Sequence, residues 1–277
     1  MNFQEACKIS LSSYKKESLR VTDRGIFRYK GKDLYKDHIL PTKFRNQNII
    51  RFYRDLFFAS PSSAINYHRY FHHLNSSQAL CINLFYPLMA ENKLNIVLDL
   101  LGITESQVVE SCFEKESDLE IGNGRKTNFD FFMQLIDRTK IYFEIKYSET
   151  GFGSAKKDDA HKRKFAATYQ PLLKNNDFID PKFCKMNSFL DAYQIMRNIS
   201  HINEESLVVF VYPMANKKIH RQAQSVIEKL LTDKGKRRYK ILLLEPTIEE
   251  ILHRVQNPKL HEHFMEFKHK YLSHDAT

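Results

Sequence analysis

The sequence of 277 residues predicts an α/β protein with a mixed central β-sheet, helices on both faces of that sheet, and a mainly helical N-terminal part. Residues 128–136, NFDFFMQLI, and 141–149, IYFEIKYSE, are apolar and aromatic on both faces, as strands inside a covered sheet are. Residues 206–213, SLVVFVYP, and 238–246, RYKILLLEP, are two more buried strands, separated by a segment with an apolar helical face. Strand, helix and strand in this order are typical of a crossover within one sheet.

The elements before the sheet are predicted from turn and capping residues. Residues 24–41 alternate enough to form a short hairpin, with Gly31 near its turn. The segment that follows, residues 46–89, is predicted to be mainly helical. Ser76 or Ser77 is placed to cap a helix with the sequence SQALCINLFYPLMA. Residues 95–114 are predicted to supply one or two further helices.

A single domain is predicted for residues 1–277, because glycine and proline are scarce and nothing resembles a flexible linker. Within it we expect a mainly helical N-terminal elaboration over 1–75, a core over 76–246 and C-terminal helices over 247–277.

The charge balance of the chain favours a polyanionic partner. Lysine and arginine outnumber aspartate and glutamate by 43 to 33, which gives a formal charge of +10. A surplus of this size draws a protein toward nucleic acid first. The four scattered cysteines favour reduced thiols, and no apolar run approaches the roughly 20 residues that span a bilayer. We therefore expect a cytoplasmic protein with no membrane partner.

Charged residues lie within two of the strands that should be buried. Glu144 and Lys146 share one face of the second strand, and Asp130 lies within the first. Burying such charges without partners costs several kcal/mol, so they are expected to act together. Two carboxylates on neighbouring strands provide the oxygen ligands that Mg²⁺ accepts, and a lysine beside them can orient a water or stabilise negative charge.

The proposed site restricts the length of the connection between the two strands. Asp130 can share the face of Glu144 and Lys146 only if facing residue numbers sum to an even value, because side chains alternate with a period of two. A regular two- or four-residue turn makes the numbers of facing residues sum to an odd value, which would place Asp130 on the opposite face. We therefore predict a three- or five-residue connection, or a β-bulge between Asp130 and Lys146.

Asp130 followed by Glu-x-Lys on the adjacent strand resembles the core of the PD-(D/E)XK nuclease superfamily. The segments SSQALCINLFYPL and QIMRNI also resemble, in their order along the chain and in their sequence, segments of its restriction-endonuclease-like branch. The resemblance covers roughly residues 76–213 and implies an endonuclease that hydrolyses DNA with Mg²⁺, for which Mn²⁺ is an acceptable substitute. It further implies that Asp130 and Glu144 bind the metal ion, that Lys146 is catalytic, and that the biological role is restriction or genome defence.

The resemblance also assigns two glutamines. Many members of the superfamily carry a helical glutamate ahead of the aspartate, and this chain offers Gln78 in that helix. Phe129 stands before Asp130 where the literal motif has proline. Gln194 lies on a helix of a kind that often faces the metal or the scissile phosphate, although an ordinary surface helix is an equal alternative.

Basic residues near the proposed site are expected to contact phosphates. Lys156, Lys157, Lys162 and Arg163 follow the second strand directly, and Arg197 lies on the helix of Gln194. The glycine-containing segments 122–127 and 151–157 flank the strand pair and could let a nucleic-acid backbone approach closely.

Several other interpretations stay open at this stage. The three charged residues could be a structural buried ion pair with an exposed acid. The chain could bind nucleic acid without cutting it, could be a structure-specific or RNA-directed nuclease, or could be a structural subunit of a larger complex. If each chain carries one active site, cleavage of both DNA strands would favour a homodimer.

Overall fold

A computed structural model describes residues 1–120 and 126–273 of the chain. The predicted glycine segment 122–127 therefore lies outside the described residues except at its last two positions. The helices are α1 (Phe3–Glu17), α2 (Arg51–Ala59), α3 (Ser77–Ala90), α4 (Asn95–Leu100), α5 (Asp159–Lys164), α6 (Gln170–Leu173), α7 (Met186–Asp191), α8 (Tyr193–Ile199), α9 (Lys217–Ser225), α10 (Asp233–Arg237), α11 (Leu244–Arg254) and α12 (Pro258–Leu272). Shorter 3₁₀ and π-helical segments occupy Thr42–Asn48, Pro61–Ser63, Phe165–Tyr169, Pro181–Phe183 and Val226–Leu230. No helix in the described part of the chain is both long and apolar enough to cross a membrane.

The strands of the described residues form two sheets. The strands are β1 (Gly25–Tyr29), β2 (Lys32–Lys36), β3 (Val108–Glu116), β4 (Asn128–Leu135), β5 (Lys140–Ile145), β6 (Ser206–Tyr212) and β7 (Tyr239–Leu243). Strands β1 and β2 pair alone, and the other five form a sheet in chain order from β3 to β7. The pairs β3–β4 and β4–β5 are antiparallel, whereas β5 and β6 are parallel. The predicted α/β class with a mixed central sheet and helices around it is confirmed.

The chain divides into two compact units. The first contains residues 1–102, 213–216 and 243–277, and the second contains residues 103–212 and 217–242. Helix α3, which the sequence assigns to a core beginning at residue 76, belongs to the first unit. The single domain over 1–277 stays a prediction.

In the first unit, α3 is buried on nearly every side, as its apolar sequence requires. The Ser76 side chain accepts a hydrogen bond from the Ala79 N–H, so the predicted N-cap is confirmed. Helix α12 packs against α1, α2 and α3. The Tyr14 hydroxyl of α1 donates to Glu266 of α12 at 2.7 Å, which links the two ends of the unit.

One of the helix predictions is wrong. Residues 95–114 contain helix α4, but their second half belongs to strand β3. The segment VVESCFEKE begins with two β-branched valines, which favour strands. Its antiparallel pairing with the buried strand β4 supplies the hydrogen bonds that a helix would otherwise have made internally.

The connection between β4 and β5 has the predicted parity. Phe131 faces Phe143 and Met133 faces Ile141, so facing numbers sum to an even value. The Leu135 N–H donates to the Thr139 carbonyl across a three-residue connection, in which Arg138 has a φ of +71°. A left-handed residue of this kind is usual in three-residue hairpin loops. The prediction of a three- or five-residue connection is confirmed, and this register would place Asp130 opposite Glu144.

Candidate active site

Asp130 lies on β4 at the point where that strand stops pairing regularly with β5. Its Oδ2 atom accepts a hydrogen bond from the backbone N–H of Ile145 at 2.7 Å, so a carboxylate replaces a carbonyl of the ladder. The side chain holds this position while part of its surface remains exposed. Asp130 is therefore fixed by the neighbouring strand and half-buried.

Glu144 and Lys146 form a buried ion pair. Lys146 Nζ lies 2.6 Å from Glu144 Oε1, and the two side chains are only 10% and 4% exposed, respectively. Gln194 of α8 donates from Nε2 to the same Oε1 atom, also at 2.6 Å. Within the described residues both hydrogen bonds to Glu144 fall on Oε1, which leaves Oε2 for another ligand. The structure thus places Gln194 in contact with one of the two acids that were predicted to bind the metal.

The charges of the site act on one another. Burial raises the pKa of Asp130 well above its ordinary value, and the negative charge of Glu144 raises it further. Burial alone would lower the pKa of Lys146, but the negative charges of Glu144, Glu149 and Asp130 outweigh it and hold this pKa above its usual value. Lys146 is therefore a cation at neutral pH, whereas Asp130 lies close to a second acid that disfavours its ionisation.

A crowded pair of carboxylates of this kind suits a divalent cation. A metal ion would relieve the repulsion that raises the pKa of Asp130, and two protein carboxylates completed by water are what Mg²⁺ accepts. Asp130 and Glu144, the latter through Oε2, are the residues that could hold the ion. No group of three or more His, Cys, Asp or Glu side chains in the described part of the chain could hold a metal.

A third acid, Glu114 on β3, was not predicted to belong to the site. Phe113 faces Phe131 and Lys115 faces Phe129, so Glu114 is opposite Asp130. Its φ of +56° is unusual for a non-glycine residue within a strand. The Asn128 side chain donates to Glu114, whose negative charge also raises the pKa of Asp130. No sequence pattern pointed to Glu114, because its strand was predicted to be helical.

Phe152 was also missed, and it lies over Lys146. Lys146 Nζ is 5.7 Å from the centre of the Phe152 ring, which stacks on Phe210 of β6 at 4.6 Å. The Phe152 N–H donates to Gln222 of α9 at 3.0 Å. These contacts anchor the start of the segment that carries the predicted basic residues.

The predicted phosphate contacts differ in their surroundings. Lys157 pairs with Asp191 at 2.7 Å and Lys162 lies 3.5 Å from Asp159, all of them exposed. Lys156 and Arg163 are exposed and form no ion pair with any described residue. Contact with nucleic acid by these four residues stays a prediction.

Arg197 has an internal role that the sequence did not indicate. Its Nε atom donates to Thr127 Oγ1 at 3.1 Å, and its guanidinium lies 5.2 Å from the centre of the Tyr193 ring. Thr127 in turn is bound by the buried carboxylate of Glu120. Arg197 therefore ties α8, the helix of Gln194, to the segment before β4, and its predicted contact with nucleic acid remains a prediction.

Gln78 is engaged within the first unit. Its Oε1 atom accepts from the His68 N–H at 2.9 Å, and its Nε2 atom donates to the Asn66 carbonyl at 3.0 Å. Asp130, Glu144, Lys146 and Gln194 all belong to the second unit. The contacts of Gln78 support a structural role for this buried amide, and its catalytic role stays a prediction.

The mixed five-stranded sheet, with an acid on one strand and Glu-x-Lys on the next, is that of a restriction-endonuclease-like nuclease. The chain belongs to the family described as restriction endonuclease associating with ARP, whose model matches residues 8–272. This membership supports a nuclease role in general. No curated protein and no solved structure matches the chain.

Proposed function

We propose that this protein is a Mg²⁺-dependent DNA endonuclease that serves restriction or another form of genome defence. One observation carries the proposal: the even register of β4 and β5 accords with Asp130 beside Glu144 on one face, where Glu144 already holds Lys146 and Gln194. Both family membership and the net charge of +10 agree with a nucleic-acid substrate.

Each residue of the site has a distinct part in this proposal. Asp130 and Glu144 Oε2 would hold the ion, which activates a water and neutralises charge on the phosphodiester when bound. Lys146 keeps its proton because the surrounding acids raise its pKa, so it fits the stabilisation of negative charge better than the role of a base. Gln194 holds the Glu144 carboxylate and thereby aims its second oxygen.

The proposal is tested by the nicking of supercoiled plasmid DNA in Mg²⁺ and in chelator. We expect nicking that requires the metal and is lost in Asp130→Asn, because the substitution removes a charged ligand. Asp233→Asn is the matched control, since Asp233 lies exposed in the same unit on α10. Nicking that persists in chelator or in Asp130→Asn would contradict the site.

The rival functions are separated by the choice of substrate. Single-stranded DNA, branched DNA and RNA should be tried beside duplex DNA under the same conditions. Cleavage of RNA or of junctions alone would favour the structure-specific or RNA-directed alternative. DNA binding without cleavage of any substrate would favour a non-cleaving protein on the same fold. The homodimer and the cytoplasmic location remain predictions from the sequence.

Replacing Gln194 with alanine should slow cleavage by about 10- to 100-fold, as is usual when the hydrogen-bond partner of a metal-binding side chain is lost. The Glu144 carboxylate would keep its hydrogen bond from Lys146 but would lose the one from Gln194. Single-turnover rates measured over a range of Mg²⁺ concentrations check this, with Gln170→Ala on the exposed side of α6 as the control. Equal rates for the two variants would show that the amide has no part in the site.

A further inference from the structure

Strands β1 and β2 form an exposed two-stranded ribbon in the first unit, and the proposed reaction gives it no role. They pair with each other alone, and every residue of β2 is exposed. The turn between them is Lys30-Gly31, with φ values of +48° and +77°. Positive φ at both central residues is the mark of a type I′ turn, which suits the natural twist of a hairpin. The ribbon is thus a preformed projection whose second strand is exposed along its whole length.

The base of the ribbon is held by the body of the unit. The Gly25 N–H donates to the Ile39 carbonyl at 3.0 Å. The Phe27 ring lies 5.4 Å from that of Tyr70 and 5.7 Å from that of His73. An isolated hairpin is marginally stable in water, so these contacts explain how the ribbon keeps its form.

The ribbon carries an excess of positive charge. Residues 24–37 contain five lysines and arginines against two aspartates. Both aspartates are used inside the ribbon, since Arg28 pairs with Asp33 at 2.7 Å and Arg24 pairs with Asp37 at 3.1 Å. The remaining cations, Lys30, Lys32 and Lys36, form no ion pair with any residue that the structure describes.

Exposed rings accompany these lysines. Tyr35 is 60% exposed and Tyr29 is 52% exposed, and Lys30 lies 5.5 Å from the centre of the Tyr29 ring. The register places Tyr29 opposite Lys32. Aromatic rings beside unpaired cations offer both apolar contact and charge to a nucleic acid, whereas a purely solvated strand would need neither ring.

A basic pocket adjoins the end of β2. It has a volume of about 450 Å³, and its lining includes Lys8, Ser12, Ser13, Lys16, Lys36 and His38. One acid, Asp37, also lines it, and its carboxylate is paired with Arg24. Burial, followed by the charges of Lys8 and Lys36, lowers the pKa of His38 to about 4, in keeping with a positive environment. Ammonium and hydroxyl groups around one cavity are the donors that a phosphate oxygen accepts from.

We propose that the ribbon and this adjoining pocket form a binding surface for duplex DNA, with the ribbon in the major groove and a backbone phosphate at the pocket. The major groove of B-form DNA is about 12 Å wide and admits a two-stranded ribbon. The major groove of A-form RNA is too deep and narrow for one, so DNA is the better fit. This inference rests on the proposed function for its choice of substrate, but the surface lies apart in sequence from the catalytic strands.

The test compares two double variants in duplex binding, measured by fluorescence anisotropy in chelator over a range of salt concentrations. Lys32→Glu/Lys36→Glu reverses two ribbon charges. Lys93→Glu/Lys259→Glu makes the same change in net charge at exposed sites of the same unit. We expect the ribbon variant to bind about tenfold or more weakly than the control, with a salt slope smaller by about 2, because two phosphate contacts are lost. Melting curves establish that both variants fold.

A second measurement uses the unaltered protein. Bound duplex DNA should protect Lys32 and Lys36 from acetylation while leaving Lys93 reactive, and duplex RNA should protect neither ribbon lysine. Equal affinities of the two variants together with full acetylation of the ribbon would overturn the inference and leave the ribbon to a protein partner. If Mg²⁺-dependent plasmid nicking is still observed in that case, the proposed function is retained and the ribbon inference alone is rejected. If binding depends on the ribbon but no Mg²⁺-dependent nicking is observed, the ribbon inference stands and the proposed nuclease function is overturned.

Discussion

Replacing Lys146 with methionine should reduce Mg²⁺-dependent cleavage by about 10²- to 10³-fold, because a preorganised cation at the reacting phosphate is lost. The same change should lower the free energy of unfolding by about 3–5 kcal/mol. The reason is burial: Glu144 is 4% exposed and, among the described residues, would keep Gln194 alone as a hydrogen-bond partner. Cleavage rates and denaturant unfolding measure the two effects separately.

A double variant separates the catalytic loss from the structural one. Lys146→Met/Glu144→Gln removes both charges at once, and neutral replacements of a buried ion pair are often as stable as the pair itself. We therefore expect unfolding stability to recover while cleavage stays at least as slow as in Lys146→Met. Lys236→Met is the surface control, since its partner Asp233 is almost fully exposed and such pairs contribute little. A double variant no more stable than Lys146→Met would show that the ion pair does not account for the loss.

Mg²⁺ should raise the melting temperature of the unaltered protein but not that of Asp130→Asn. An ion at about 100 times its dissociation constant stabilises the folded state by about 2.7 kcal/mol, provided that it does not bind the unfolded chain. Asp130 is one of the two acids that would hold it, and the asparagine supplies no charge. Differential scanning calorimetry with and without Mg²⁺ checks this expectation. Equal stabilisation of both proteins would place the ion elsewhere.

The same variant has a predictable pH dependence when metal is absent. The pKa of Asp130 is raised in the folded state, so its charged form is the costly one. Stability from this group is present below the ordinary pKa of 3.8 and is lost as the pH rises through the raised value. Asp130→Asn should therefore melt at a higher temperature than the unaltered protein at neutral pH. The difference should shrink on acidification.

The sequence could predict the strand pair and its register because both follow from the period of two in a β-strand. Requiring Asp130 and Glu144 to share a face excluded the commonest hairpin turns, and the observed three-residue connection satisfies that requirement. Gln194 could be singled out only by resemblance. Its hydrogen bond to Glu144 joins residues 50 positions apart in the chain, a separation for which no local pattern exists.

Other features were beyond sequence reasoning for identifiable reasons. Glu114 reaches the site through the pairing of β3 with β4, and its left-handed backbone has no signal in the residue type. Gln78 was assigned by the position of its helix in a motif, whereas its contacts are set by the neighbouring segment that carries Asn66 and His68. Both cases depend on tertiary contacts rather than on local propensity.

The first unit draws on segments from both sides of the nuclease strands, since α1 packs against α12 and Tyr14 is bound to Glu266. On the ribosome, this unit would have to wait for residues 258–272 to emerge before its helices could close together. The strands that carry Asp130 and Glu144 are synthesised well before then. We therefore expect a nascent chain to complete its second unit first and its first unit only after α12 has been synthesised.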